Sequence, residues 1–363
     1  MLSFHPLKVA AVERVAEDAS CVSVEIPAAL RDAYAFHAGQ YVTVRRTIEG
    51  REERRTYSIV STPGCPVLKL GIRHQRRGRM SGELAAKLQP GEMLEVGTPM
   101  GRFRTAISAE RRHSYVAFAA GSGITPILSL ATDILAREPH SRFTLIYGNR
   151  SISRTMFLEE TLALKNRYID RFAAHFVMSR EPQQAEWLNG RIDGRKMQEL
   201  ARHMPELSVA DEYFVCGPGD MVDELRNALK ELNANAAIRF ERFASAVPGE
   251  AAAQARGAPL AEDVPVPQEV LATISVTMDG RRRSFAMASG DASVLDAAER
   301  AGLDLPFSCR SGICATCRAR ITQGAAVMTH NIALEPWETA AGFVLCCQAR
   351  PTTATLDISY DHK

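Results

Sequence analysis

The chain has 363 residues, which at roughly 100–200 residues per domain predicts two or three domains. Its composition, 46% hydrophobic and 24% charged, is that of globular proteins, and 44 basic against 42 acidic side chains leave a net charge of +2. These values exclude collagen-like, disordered and polyelectrolyte proteins, so no nucleic-acid partner is expected. Because no apolar run reaches the ~18 residues that span a bilayer and the start lacks the apolar core of a signal peptide, we expect a cytoplasmic protein without a membrane partner.

The first part of the chain, residues 1–106, is predicted to be an antiparallel β-barrel domain. Short β-rich runs, such as residues 40–45 and 68–72, are separated by Gly and Pro, which is typical of a small barrel or sandwich. The basic run at residues 73–79 fits either a solvated surface or a site for an anionic cofactor.

Residues 107–245 are predicted to form an α/β domain with a parallel sheet. Strand candidates at residues 114–120, 143–147, 172–178 and 213–216 alternate with apolar residues at helical spacing. Such alternation indicates a parallel sheet that is covered by helices.

A linker and a third domain follow. Residues 246–269 are rich in Ala, Pro and Gly and lack an apolar period, which indicates an interdomain linker. In residues 270–363, two β runs flank Asp279–Gly280, which predicts a hairpin, and Ser293 is predicted to cap a helix that stops at Gly302. The third domain is therefore predicted to be small and α+β.

Five of the eight cysteines crowd the C-terminal domain. Cys309-x4-Cys314-x2-Cys317 is followed, after 29 residues, by Cys347, which is the plant-type 2Fe–2S spacing. Zinc is the alternative, but zinc sites favour paired C-x2-C or His ligands, and only one C-x2-C occurs. If Cys346 and Cys347 lie on a strand, their side chains face opposite sides, so only one of them reaches the cluster. The spacing favours Cys347 as the ligand and Cys346 as a packing residue.

Two motifs fit nucleotide sites. Gly121-Ser122-Gly123 ends a strand, and Thr125 and Pro126 would be the N-cap and first residue of the next helix, whose N-terminus favours an anion. A merely packed turn is the alternative. In Arg55-x-Tyr57-Ser58, the arginine suits a phosphate, the tyrosine a flat heterocycle and the serine its edge.

These motifs, in this order and with Cys216-Gly-Pro after them, resemble the ferredoxin–NADP reductase superfamily. With the cysteine-rich module behind them, the chain resembles iron–sulfur flavoprotein reductases that serve multicomponent oxygenases, and most of all the reductase subunits of phenylacetyl-CoA epoxidases. The resemblance implies a β-barrel FAD domain, an NAD(P)H-binding α/β domain and a 2Fe–2S ferredoxin domain of the β-grasp type. It also implies electron transfer from NADPH through FAD and the cluster to an oxygenase component, which for the epoxidase branch is a diiron protein.

Two rival functions stay open. One is a reductase for a Rieske-type or other multicomponent hydroxylase, since the same modules would serve it. The other is a ferredoxin-like redox-sensing or binding protein with a degenerate flavin site, which the intact flavin and glycine motifs oppose.

The resemblance also implies residue roles. The hydride site would consist of Ser58, Cys216 and Glu241. FAD would be held by Arg55, Tyr57, Ser58, Gly78, Met80, Ser81 and Phe243. The pyridine nucleotide would be held by Gly121, Ser122, Gly123, Thr125, Pro126, Arg150, Ser179, Arg180, Cys216, Gly217 and Met221. Because Arg180 and Arg150 suit a 2′-phosphate, NADPH is expected rather than NADH. The cluster ligands would be Cys309, Cys314, Cys317 and Cys347. We also expect the arginines beside the cluster loop, Arg310 first, to give the partner a locally basic surface.

Overall fold

The computed structural model of the chain describes residues 2–75, 78–243 and 269–361. These residues fall into two compact units, Ser3–Phe243 and the C-terminal residues from 269 onward. The predicted linker lies outside the described residues except for its last residue, Glu269. The predicted boundary at residues 106/107 lies inside the first unit and stays a prediction. None of the helices in the described part of the chain combines the length and apolar composition that crossing a bilayer requires.

The first sheet of the larger unit is antiparallel and has the strand order β4-β3-β6-β1-β2-β5. Its strands are β1 (Phe4–Ala16), β2 (Ala19–Glu25), β3 (Tyr41–Ile48), β4 (Arg51–Ser58), β5 (Val67–Arg73) and β6 (Met93–Gly97). Ile59, just past β4, bridges Leu70 of β5, which joins the two edges and closes the barrel. Helix α1 (Arg79–Lys87) inserts Met80 and Leu84 into the barrel core.

The second sheet is parallel throughout, with the strand order β11-β10-β7-β8-β9. Its strands are β7 (Ser114–Ala120), β8 (Arg142–Asn149), β9 (Phe172–Met178), β10 (Glu212–Pro218) and β11 (Ala237–Phe243). Its helices are α2 (Ile124–Arg137), α3 (Leu158–Arg167), α4 (Gly194–His203) and α5 (Gly219–Leu232). The sheet order reverses between β7 and β10, and ligands of such sheets bind at the carboxyl ends of the strands at this point.

Short 3₁₀ turns connect these elements of the larger unit. They span Ala28–Leu30, Gly121–Gly123, Ile152–Arg154, Glu186–Leu188 and Pro205–Ser208.

The C-terminal unit has a mixed sheet of order β13-β12-β18-β14-β16 and a two-stranded sheet, β15-β17. Its strands are β12 (Val270–Met278), β13 (Arg281–Ala288), β14 (Arg318–Gln323), β15 (Ala326–Met328), β16 (Phe343–Leu345), β17 (Ala349–Pro351) and β18 (Thr355–Ser359). Its helices are α6 (Val294–Arg300) and α7 (Pro336–Ala340). The predicted fold class, with an antiparallel sheet, a parallel sheet and an α+β unit, is confirmed.

The predicted turn and cap in the C-terminal unit are also confirmed. Asp279 and Gly280 both have positive φ, 50° and 69°, as the tight hairpin between β12 and β13 requires. The Ser293 hydroxyl accepts the backbone N–H of Asp296 at 3.2 Å, which opens α6. Gly302, with φ 73°, follows the end of that helix.

Two local predictions are wrong. Thr125 is not the N-cap of α2, because residues 121–123 already turn in a 3₁₀ conformation, Gly123 is the cap and the helix begins at Ile124. The Thr125 hydroxyl instead donates to the carbonyl of Ser122 at 2.9 Å, and Pro126 is the third helical residue rather than the first. Cys346 and Cys347 lie in the turn after β16, not on a strand.

Candidate functional site

Three side chains from distant parts of the larger unit meet at one place. Ser58 ends β4 of the barrel, while Cys216 and Glu241 are register partners on the neighbouring parallel strands β10 and β11. The Ser58 hydroxyl donates to Glu241 Oε2 over 3.4 Å, and the Cys216 thiol donates to the same oxygen over 3.9 Å. The three residues predicted for hydride transfer are therefore brought together between the barrel and the parallel sheet.

The protonation of this group differs from that of exposed side chains. Burial raises the pKa of the Glu241 carboxyl to about 7, although its hydrogen bonds from Ser58 and Cys216 act in the opposite direction. Burial and the adjacent Glu241 carboxylate raise the pKa of the Cys216 thiol well above its usual value. At neutral pH, Cys216 is thus an uncharged thiol and Glu241 can both hold and release a proton.

Two aromatic side chains lie on the same strands as this group. Tyr57 precedes Ser58 on β4 and packs against the barrel core, and burial raises the pKa of its phenol. Phe243 ends β11, two residues after Glu241, and packs against the core under the parallel sheet. Both rings are only partly buried, which leaves aromatic surface for a flat heterocycle.

The start of α1 has the features of a phosphate cradle. A Cβ atom at Gly78 would lie 2.5 Å from Ser81 Oγ and 2.7 Å from Gln75 Cβ, so the turn has room for glycine alone. Ser81 Oγ accepts the backbone N–H of Gln75 at 3.1 Å. Met80 is buried in the barrel core, so only its backbone faces a ligand. The donor set at this helix N-terminus fits a pyrophosphate.

Arg55 is exposed on β4 near the same helix. Its guanidinium lies 3.0 Å from Glu53 Oε2, while Arg79 of α1 lies 3.5 Å from the other oxygen of that carboxylate. One carboxylate thus stands between two guanidinium groups, which are side chains that suit a phosphate.

The glycine-rich turn after β7 packs directly against the end of β10. A Cβ atom at Gly123 would lie 2.1 Å from the carbonyl oxygen of Cys216, and one at Gly217 would lie 2.5 Å from Met221 Cε. Glycine is therefore required at residue 123, where the clash is with backbone, whereas the close atom at residue 217 is the flexible end of Met221. Thr125, Pro126 and Met221 are buried, whereas Gly121 and Ser122 are partly exposed at the predicted coenzyme site.

A cationic cluster lies beside Gly121. Arg73, at the end of β5, donates to Asp18 at 2.5 Å and to the carbonyl of Arg154 at 2.9 Å, and Arg154 is also paired with Asp18. The buried Nε of Arg73 has no hydrogen-bond partner among the residues that the structure describes, and it would lie 3.7 Å from a Cβ atom at Gly121. An unused donor beside a glycine turn fits an anionic ligand.

The residues predicted to select the coenzyme lie at the carboxyl ends of β8 and β9. The backbone N–H of Arg180 donates to the carbonyl of Arg150 at 2.9 Å, and that of Ser179 donates to Asn149 at 2.9 Å. The side chains of Arg150 and Arg180 are exposed. Desolvation and then the charges of Arg154 and Arg180 lower the pKa of Arg150, as expected where cations gather for an anion.

The four predicted cluster ligands stand as two pairs in the C-terminal unit. The thiols of Cys309 and Cys314 are in hydrogen-bonding contact, and so are those of Cys317 and Cys347. Within the ranges that the structure describes, no three His, Cys, Asp or Glu side chains converge as a single metal ion would require. Two pairs of thiols fit a binuclear group that takes two thiolates on each iron.

The loop backbone favours a thiolate at Cys309. The N–H groups of Ser311 and Cys314 both point at Cys309 Sγ over 3.4 Å, which Arg310, Gly312 and Ala315 permit by adopting positive φ. The hydrogen bond from Cys314 lowers the pKa of Cys309, and the one from Cys317 lowers the pKa of Cys347, whereas the same contacts and burial raise the pKa of the donors Cys314 and Cys317. Thiolate is the form that binds metal.

Cys346 is placed differently from Cys347. It is fully buried in the core of the C-terminal unit, and burial raises the pKa of its thiol to about 12. Its backbone N–H donates to the carbonyl of Cys317 at 3.0 Å. This environment fits the packing role expected for Cys346.

Asp18 and Arg154 were missed by the sequence reasoning. They are 136 residues apart and belong to no motif, so no local signal marks them. Arg73 was noticed only as part of a basic run. To find this cluster one would need to know that β2 pairs with β5, which brings Asp18 beside Arg73, and that the turn holding Arg154 packs against this end of the barrel.

Three family profiles match the chain in the order of its sheets. They are described as an oxidoreductase FAD-binding domain (residues 6–105), an oxidoreductase NAD-binding domain (residues 118–227) and a 2Fe-2S iron-sulfur cluster binding domain (residues 276–352). The predicted cofactor types, FAD, a pyridine nucleotide and a 2Fe–2S cluster, are confirmed.

Relatives match along the whole length. The chain is 38% identical to a subunit of 1,2-phenylacetyl-CoA epoxidase from Escherichia coli (strain K12), covering 100% of this chain and 99% of that one. It is 29% identical to the ferredoxin reductase component of 3-ketosteroid-9-alpha-monooxygenase from Rhodococcus rhodochrous, covering 98% and 96%. The solved structure of phthalate dioxygenase reductase matches with a TM-score of 0.58 at 23% identity over 98% of both chains, which shows the same fold.

Proposed function

The chain belongs to the family of iron–sulfur flavoprotein reductases that join FAD, NAD(P)H and 2Fe–2S domains in one polypeptide, and on that premise we propose that it carries electrons from NADPH to a phenylacetyl-CoA epoxidase. It is an NAD(P)H-dependent oxidoreductase whose partner is an oxygenase component. The observation that carries the choice of partner is the 38% identity, over the full chain, with a subunit of that enzyme. We propose further that the oxygenase component is a diiron protein.

The residues at the junction of barrel and parallel sheet have complementary tasks. When bound, FAD would accept two electrons as hydride, and the cluster would carry electrons one at a time. The neutral Cys216 thiol can lie against a nicotinamide ring without adding charge. The Glu241 carboxylate stabilises the positive charge that develops on that ring as hydride leaves. Ser58 orients the carboxylate by donating its hydroxyl.

The preference for NADPH is supported by the arginine pair. The guanidinium groups of Arg150 and Arg180 lie at adjacent strand ends and can bind a 2′-phosphate. The nearby carboxylate of Glu181 accepts the backbone N–H of Ile152 at 2.8 Å, which ties it to the turn after β8.

Cluster binding is assigned to the two thiol pairs. Cys309 and Cys314 would hold one iron, and Cys317 and Cys347 the other. The backbone N–H groups of the loop would offset the negative charge on sulfur. All eight cysteines are free thiols, which supports a reducing compartment such as the cytoplasm.

The test is anaerobic stopped-flow reduction with NADPH and NADH, followed by reconstitution with purified oxygenases. We expect NADPH to bleach the flavin and then the cluster, and the reduced protein to support turnover of a phenylacetyl-CoA epoxidase oxygenase component. Turnover of a Rieske-type oxygenase alone would overturn the choice of partner. A preference for NADH would overturn the assignment of the arginine pair.

A further inference from the structure

An exposed tryptophan lies close to the cluster loop of the C-terminal unit. Trp337 on α7 is 60% exposed, and Ile332, five residues earlier, is 37% exposed. We call these two side chains the Ile332–Trp337 surface. Isolated apolar residues on a protein surface are common, so exposure alone does not indicate a binding site. This segment is distinguished by its hydrogen bonds to the cluster loop and by an ion pair with the residue after Cys317.

The first fastening joins the surface to the loop that holds two cluster ligands. The backbone N–H groups of Ile332 and Ala333 both donate to the carbonyl of Gly312, over 3.1 and 3.0 Å. Gly312 lies between Cys309 and Cys314, and a Cβ atom there would be 2.8 Å from the carbonyl of His330. The chain before Trp337 therefore packs directly on the cluster loop.

The second fastening joins α7 to the residue after a third ligand. The Glu338 carboxylate is fully buried and lies 2.9 Å from Nε of Arg318, which follows Cys317 in the chain. The side chains of Glu335 and Glu338 also form a capping box at the start of α7. Trp337 is thus presented on a backbone held at both ends, and little conformational entropy is lost when a partner orders it.

Two arginines beside the loop, Arg310 and Arg318, are paired with carboxylates of the same unit. Arg310 is paired with Asp296 at 3.3 Å and with Glu299, and Arg318 is paired with Glu338. The two guanidinium groups also stack on aromatic rings, 4.3 Å from the centroid of Phe307 and 3.4 Å from that of Phe343. Arg320, the third arginine expected to contribute, is exposed and donates to the carbonyl of Ala341 at 3.2 Å, so a locally basic docking surface would depend on Arg320.

We propose that the oxygenase component docks on the Ile332–Trp337 surface, with Trp337 as its aromatic anchor. This inference rests on the proposed function, because it assigns the exit side of the same electron path. The oxygenase is the occupant because an electron must leave by the cluster loop, and this apolar surface is hydrogen-bonded to that loop. Tryptophan is enriched among the few residues that dominate interface energies.

The experiment compares variants in the full-length holoprotein. Trp337→Ala is expected to raise the reductase concentration for half-maximal oxygenase turnover about ten- to thirtyfold, the effect of removing one anchor of ~2 kcal/mol. Trp337→Phe keeps an aromatic ring and should lose less than about threefold. The control is Val270→Ala, because Val270 is equally exposed, at 61%, at the start of β12. Iron content and NADPH-driven cluster reduction should be unchanged in all three.

Salt dependence provides a second readout. Apolar docking should be insensitive to salt between low and physiological ionic strength, whereas charge-driven docking weakens. Wild-type turnover by Trp337→Ala, or a steep loss with salt in the wild type, would overturn the proposal. The proposal would also be overturned if Trp337→Ala slowed NADPH-driven cluster reduction while its dithionite-reduced form still passed electrons to the oxygenase normally. Trp337 would then serve electron transfer within the protein. Self-association that Trp337→Ala abolishes would assign the surface to a second copy instead.

A failure of the proposed function would give a different result from a failure of the docking surface. If the wild type drives a Rieske-type oxygenase but not the epoxidase, and Trp337→Ala impairs that transfer, the choice of partner falls and the docking surface stands.

Discussion

The cluster loop and the hydride site are built in opposite ways. The loop places three cysteines within nine residues, and its own backbone N–H groups point at sulfur. The hydride site joins Ser58, Cys216 and Glu241, which come from a barrel strand and two parallel strands. The first depends on local backbone conformation, and the second depends on two sheets being correctly packed.

This difference has a practical consequence for mutation. One lost ligand removes the whole cluster, because the group needs all four thiolates. One lost side chain at the hydride site leaves the other two in place, so its effect is graded. The two sites also lie in separate compact units, so damage to one should spare the other.

The largest effect is expected for Cys347→Ser. We expect loss of nearly all cluster iron and of electron transfer to the oxygenase, while NADPH still reduces the flavin at the wild-type rate. Iron analysis, visible absorbance and stopped-flow flavin reduction measure this. Cys346→Ser is the matched control and should retain its cluster with only a modest loss of stability. Equal iron loss in both variants would contradict the assignment of Cys347.

Glu241→Gln should slow flavin reduction by NADPH about ten- to a hundredfold without loss of either cofactor. Because the pKa of Glu241 is raised to about 7, the wild-type rate should rise as the pH increases through 7 and the carboxylate forms. The variant should lack this rise. The raised pKa also affects stability. Between about pH 4.5 and 7 the unfolded chain releases the Glu241 proton while the folded protein keeps it, so the free energy of unfolding falls as the pH increases.

The pH series of flavin reduction by stopped flow, from about pH 5.5 to about pH 9, measures this prediction on both sides of the raised pKa. Ser58→Ala is the companion variant, since it removes one donor to the carboxylate and keeps its charge. A wild-type rate that is flat across neutral pH would show that Glu241 does not titrate during hydride transfer.

Arg180→Ala tests whether Arg180 binds the 2′-phosphate of NADPH. Loss of one charge-assisted hydrogen bond to a 2′-phosphate, about 1.5–3 kcal/mol, should raise the Km for NADPH roughly ten- to a hundredfold and leave NADH nearly unaffected. Steady-state kinetics with both coenzymes measures this. Arg142, exposed at the opposite end of β8, provides a control substitution to Ala. Equal losses with both coenzymes would contradict a 2′-phosphate site.

The smallest effect is expected for Arg310→Gln. Its exposed ion pairs with Asp296 and Glu299 contribute about 0–1 kcal/mol to stability, and the guanidinium is already neutralised. Oxygenase turnover at low ionic strength should therefore change less than about twofold. A tenfold loss that salt abolishes would restore the basic docking surface and count against the Ile332–Trp337 surface.

Sequence patterns predicted the three sheets because their periods are local. The runs at 114–120 and 172–178 coincide with β7 and β9, and β7, as a buried central strand, is continuously apolar after Ser114. The start of α2 was misplaced because a 3₁₀ turn of glycines extends the helix backwards, which residue preferences do not reveal. Asp18 and Arg154 were invisible because only the packing of the turn Ile152–Arg154 against the barrel brings them together. The resemblance to a family, rather than any local pattern, marked Ser58, Cys216 and Glu241 as one site.

The contact between Gly123 and the carbonyl of Cys216 constrains how this protein can be redesigned. A single methyl group at residue 123 would push that carbonyl away and carry the thiol with it, since only 2.1 Å separates the two positions. Libraries that randomise the glycine turn would therefore be dominated by inactive clones, whatever coenzyme is offered. Engineering toward cheaper or synthetic nicotinamides should start at Arg150 and Arg180, whose exposed side chains can be exchanged without moving the backbone of the hydride site.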